Sequence, residues 1–208
     1  LNDPALVRTL TTHAKDAVAW LVSLGADLNT VGRAGGAKYP RAHRPTDGSA
    51  IGPEVIRVLW KAAKDRKMDV RTQTRATEII MKDGRVAGVK ATNKDGKVYT
   101  IDAKAVVLAT GGFGANQDML VKYQPKLKGY ATTNQPGATG DGIILAEHAG
   151  AALVDMKQIQ AHPTAAPDGT LISESVRGDG GILINAEGKR FTNEYSEASS
   201  DRRITEDI

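Results

Sequence analysis

His162, Ser173, Glu174 and Arg177 fall within one short polar stretch, AHPTAAPDGTLISESVRGDGG, residues 161–181. A carboxyl group such as Glu174 can exchange protons with solvent, and a guanidinium three residues on keeps it poised and connected. His162 and Ser173 add an imidazole and a hydroxyl, both able to hydrogen-bond a polar ligand. The residue types alone leave two readings open, an active-site wall or a well-punctuated loop. The Glu174 and Arg177 spacing equally suits a surface i, i+3 ion pair, and a lone histidine equally suits a satisfied structural position.

A second constellation is built from small residues. Ala109, Thr110, Gly111 and Gly112 end the apolar run AVVLATGG, where backbone can lie against a ligand with little side chain in the way. Thr139, Gly140 and Asp141 belong to PGATGDG, which leads into the helix-like segment IILAEHAGA. A helix opening at a glycine-rich turn presents free backbone N–H groups and the positive end of its dipole, which suits an anion or a polar cofactor edge. An ordinary capped helix with glycines as turn formers accounts for the same letters.

The elements that must position these residues are legible in outline. Asp3 before Pro4 reads as an N-cap with proline at the first helical position, and Leu6, Leu10, Ala14, Ala17 and Leu21 predict a helix with one buried face, ending at Gly25. Residues 31–52 carry too many glycines and prolines for a regular element and predict a long loop. Val55, Ile56, Leu59, Trp60 and Ala63 mark a second amphipathic helix starting at Pro53. Asp83-Gly84 and Asp95-Gly96 separate short runs of β character, so residues 76–102 predict a three-stranded antiparallel meander. The run AVVLAT predicts a central parallel strand, because it is continuously apolar and ends in glycines. A short helix follows over 116–123.

Composition narrows the function classes. The chain has 208 residues, enough for one sizeable domain or one domain plus part of another. Lysine and arginine exceed aspartate and glutamate by a net charge of +4, but they are scattered and do not interleave with aromatics, so nucleic-acid binding finds no support. No cysteine is present, which removes disulfides, thiolate metal sites, a cysteine nucleophile and covalent c-type haem from these residues. No apolar run approaches the ~20 residues of a membrane span, and the first residues lack the layout of a signal peptide.

HRPTDG (43–48), the meander, AVVLATGGFGAN (105–116), PGATGDG (136–142), QAHPT (160–164), SESVRGDGG (173–181) and GKRFTNE (188–194) occur in one order. In that combination the chain resembles the flavoprotein of the fumarate reductase and succinate dehydrogenase superfamily, nearest to soluble flavocytochrome c-type fumarate reductases. The resemblance implies an α/β fold with α+β elements: part of a Rossmann-like FAD-binding domain with an antiparallel meander, over 1–160, and a hinge with the start of a capping domain, over 161–208. Family members open with a strand, a G-x-G-x-x-G turn and a helix that do not occur here, so the chain is expected to be an internal piece, inactive in isolation.

The resemblance also implies roles. FAD is the cofactor, met by Ala76, Ala109, Thr110, Gly111, Gly112, Thr139, Gly140 and Asp141. The substrate is a dicarboxylate, fumarate, with His162 and Ser173 holding one carboxylate while Glu174 and Arg177 relay protons to an acidic arginine. Ungapped matching puts Ala198 at that arginine's position; Arg202, ahead of Arg203, takes the role if the loop shifts. Relatives acting on urocanate or a ketosteroid are the alternative, and a non-catalytic fold piece is the alternative for the isolated chain. An electron-donor domain or subunit outside these residues and a periplasmic location complete what the resemblance implies.

Overall fold

The computed structural model describes residues 3–34, 37–162, 164–166 and 170–194. The chain divides into two compact units, one joining Leu1–Val70 with Ser173–Ile208 and the other formed by Arg71–Ile172. Helices and two antiparallel sheets are mixed along the chain.

In the first unit, helix α1 (Pro4–Ser23) begins where the Asp3–Pro4 signal places it, and the Asp3 carboxylate accepts the Ala5 N–H at 2.8 Å and the Leu6 N–H at 3.4 Å. The predicted buried face is not there. No α1 residue is buried, and Leu10 is 70% exposed; only the last turns, through Val18 and Leu21, pack on a small core of Ala26, Leu28 and Val58. Helical periodicity marks an apolar stripe, but what covers that stripe is a tertiary matter. Helix α2 (Ile51–Asp65) starts two residues earlier than Pro53 and buries Val58, whereas Ile56 and Trp60 point outward.

The glycine-rich stretch 31–52 is not wholly loop. Strands β1 (Thr30–Gly32) and β2 (Ala42–Arg44) pair antiparallel across it. HRPTDG then turns the chain by side-chain bonds. His43 Nδ1 lies 2.9 Å from the Leu28 carbonyl, Asp27 accepts both the Thr46 N–H at 2.9 Å and the Thr46 hydroxyl at 2.8 Å, and Asp47 accepts the Ser49 N–H. This motif is therefore a brace between the segment after α1 and the start of α2.

In the second unit, strands β3 (Thr74–Lys82), β4 (Arg85–Asn93) and β5 (Val98–Asp102) form the expected meander in the order β3-β4-β5. Ala76 pairs with Ala91 and Lys82 with Arg85, with a register shift between Ala76 and Glu78. Helix α3 (Gln117–Tyr123) is capped by the Asn116 side chain, which accepts the Met119 N–H. Helix α4 (Asp141–His148) begins at the predicted turn.

AVVLAT departs from expectation. Residues 105–110 form no strand, and Val107 is 89% exposed. A strand buried on both faces needs neighbours along both edges to take its N–H and C=O groups. Neither antiparallel sheet among the described residues places one there.

Candidate functional site

The second unit brings the small-residue segments together. The Gly140 N–H donates to the Gly112 carbonyl at 3.1 Å and the Ala115 N–H to the Ala138 carbonyl at 2.9 Å. The Asn116 side chain adds a bond to the Thr139 carbonyl at 2.8 Å. Gly140 is the N-cap of α4 with φ of 79°, a left-handed conformation that suits glycine, and a Cβ there would stand 2.5 Å from Met119 Sδ. Gly142 is buried, and a Cβ on it would overlap the Thr110 hydroxyl. Ala109, Thr110, Gly111, Gly112, Thr139, Gly140 and Asp141 thus form one stitched surface.

That surface is open. Ala109 to Gly112 are exposed, and a Cβ on either Gly111 or Gly112 would meet nothing within 4 Å. Asp141 supplies an ionised acceptor at its edge. Its carboxyl lies below the ordinary range, held there first by the Thr139 hydroxyl at 2.9 Å and then by Arg75 Nε at 2.9 Å, against a smaller opposing effect of burial. Backbone free of side chains, a helix start and a fixed carboxylate are what a flat, hydroxyl-bearing dinucleotide needs, so these residues fit FAD. Ala76 sits half-buried beside Arg75, one residue from the Asp141 contact.

His162 also lies in the second unit. Its Nδ1 is 3.1 Å from the Thr164 carbonyl oxygen and 3.3 Å from the Thr164 nitrogen, and the ring is half-buried. With Gly114, Tyr130, Thr132, Asn134 and Gln160 it lines a pocket of about 130 Å³. The Thr132 hydroxyl donates to the Gly114 carbonyl at 2.7 Å, tying the pocket wall to the glycine segment.

Ser173, Glu174 and Arg177 belong to the first unit. Instead of a plain loop, they start and line a one-turn helix, α5 (Glu174–Gly178), with Ser173 at its N-cap. Arg177 is 6% exposed and Glu174 half-buried, so a solvated surface pair does not describe them. Arg44, from β2, donates to the Ser175 hydroxyl between them. Arg202, with Arg203, lies outside the described residues.

Sequence reasoning missed Arg75, Asn116 and Arg44. Asn116 closes the AVVLATGGFGAN motif and Arg75 precedes Ala76, but their contacts are long-range and carry no periodic signal.

The model of the FAD binding domain family matches residues 1–208. The chain belongs to the FAD binding domain family. FAD is the cofactor of this family, in agreement with the fit of the glycine surface. Among relatives, the family member described as fumarate reductase (cytochrome) from Shewanella frigidimarina is 50% identical over 94% of this chain and 35% of its own length. An NADH:fumarate oxidoreductase of Klebsiella pneumoniae (strain 342) is 46% identical over 93% of this chain and 21% of its own length. The open conformation of a flavocytochrome c3 fumarate reductase superposes with a TM-score of 0.77 at 41% identity, covering 93% of this chain and 35% of that one. The chain spans about a third of the length of the first of these family members.

Proposed function

We propose that the protein carrying this chain is an FAD-dependent oxidoreductase that reduces the carbon–carbon double bond of fumarate to give succinate. The observation that carries the reading is 50% identity to a fumarate reductase over a span that includes His162, Ser173, Glu174 and Arg177. FAD, once bound and reduced by the donor, would supply a hydride to one alkene carbon and be left oxidised. Ala76, Ala109 to Gly112 and Thr139 to Asp141 hold it, and residues from 161 onward begin a domain that caps the substrate.

His162 and Ser173 take one substrate carboxylate by hydrogen bonds. Their contribution is positioning, together with withdrawal of charge from the double bond as the hydride arrives. The other alkene carbon needs a proton. Glu174 and Arg177 together relay it to a terminal arginine, a role that Arg202, ahead of Arg203, takes if the loop after Glu194 shifts, and the burial of Arg177 supports a relay shielded from bulk solvent. Electrons enter from a donor domain or subunit outside these residues. The periplasm is the compartment this reading carries with it, and no helix among the described residues is long and apolar enough to cross a membrane.

The test is product formation by the full-length protein with a reducing dye as donor. Succinate from fumarate is the expected product; reduction of urocanate or a ketosteroid with fumarate untouched would assign the chain to another branch of the family.

A further inference from the structure

Arg75 stands at the start of β3, and its Nε donates to Asp141 Oδ2 at 2.9 Å, joining the meander to the first residue of α4. The opposite carboxylate oxygen, Oδ1, accepts the Thr139 hydroxyl at 2.9 Å. Thr139 is fixed in turn, because its carbonyl accepts the Asn116 side chain. Each Asp141 oxygen is therefore held once and keeps a further lone-pair site. Arg75 is itself aimed by the sheet: it pairs with Thr92 on β4, one residue before Ala76 and the register shift that follows. By contrast, Lys90 and Glu78, 3.5 Å apart, join two strands of the same sheet.

We infer that Arg75 is a positioning residue of the cofactor site, setting the Asp141 carboxylate so that its remaining lone pairs accept a hydroxyl or N–H of FAD. The inference rests on the reading of Asp141 as a cofactor contact. Arg75 does not touch the cofactor in this account. It fixes the direction of an acceptor and keeps a positive charge beside it, so the acceptor is ionised and ordered before binding. Because the Arg75 side chain is 73% exposed, the effect is modest and weakens with salt.

The test is an FAD titration of the full-length apoprotein followed by flavin fluorescence, with apoprotein melting measured beside it. R75M and R75Q are expected to raise the Kd for FAD by about three- to fivefold while leaving the apoprotein Tm in place, and R75K to restore most of the loss. K90M, which breaks a comparable ion pair elsewhere on the sheet, is expected to leave the Kd unchanged. In a D141N background the R75M change should have no further effect. Equal FAD affinity of R75M and wild type, or the same R75M penalty with and without D141N, would overturn the inference. If D141N alone binds FAD as wild type does, the assignment of Asp141 to the cofactor falls, and the role of Arg75 with it.

Discussion

Arg190 and Glu194 form an ion pair in which the glutamate side chain is wholly buried and the arginine half-exposed. Glu194 also accepts the Leu183 N–H at 2.6 Å, so the GKRFTNE motif closes on the segment just after α5. Burial pushes this carboxyl up, but the Arg190 guanidinium and the Leu183 N–H pull it further down, leaving it below the ordinary range. Glu194→Ala removes the carboxylate and leaves an amide and a guanidinium without it. A loss of about 2 kcal/mol in denaturant unfolding is expected. Since the folded value lies below the unfolded one, the stabilisation is present above about pH 4.3 and fades as pH falls through the folded value. Wild type and variant should therefore converge in acid.

Glu54 makes a second acid-sensitive contact. Its carboxyl is lowered to about 2, chiefly by the Arg57 guanidinium and then by the Asp27 N–H, which it accepts at 2.7 Å. The sign is again that of a depressed acid: Glu54 stabilises the fold above the ordinary glutamate value and ceases to do so as pH drops towards 2. Melting curves of wild type and Glu54→Gln should differ at neutral pH. The gap should narrow from about pH 4.3 downward.

Gly140→Ala combines a side chain in the left-handed region with contacts of 2.5 Å to Met119 Sδ and 2.9 Å to Phe113 Cβ. Strain and overpacking together are expected to cost about 2 kcal/mol. The start of α4 would shift with it, so FAD affinity in the full-length protein should fall alongside Tm. A variant with wild-type FAD affinity would show that the turn at 139–141 is not part of the cofactor surface.

Much of this was legible in the letters, and the reasons differ by element. The Asp3–Pro4 helix start and the Asp-Gly turns of the meander are local signals, set by backbone chemistry within a few residues. The turns at Ala109 to Gly112 and Thr139 to Asp141 are legible from their glycines, but the same letters suit an ordinary capped helix, and only the order of the motifs around them points to a cofactor. The burial of Val58 and the exposure of Leu10 and Val107 were not legible, because they depend on which distant segment lies alongside. The same holds for Arg44 and Arg75, whose partners Ser175 and Asp141 are far away in sequence. Short β1 and β2 are not legible, because three residues amid glycines and prolines show no alternation.

The proposed relay makes a kinetic prediction. In the full-length protein, Glu174→Gln keeps the size and hydrogen bonding of the side chain but not its proton. A fall in kcat of about a hundredfold with KM little changed is expected. His162→Ala should raise KM as well as lower kcat, because it loses both a carboxylate contact and its pull on the double bond. Steady-state kinetics on the two variants separate these roles; a Glu174→Gln enzyme with wild-type kcat would remove it from the proton path.

The central claim is tested most directly by mixing the full-length protein, with its flavin chemically reduced under anaerobic conditions, with fumarate and following flavin absorbance with succinate as product. Rapid reappearance of oxidised flavin, with one succinate formed per flavin, is the predicted result. Reduced flavin that persists in the presence of fumarate, yet reoxidises with another unsaturated acid, would contradict it.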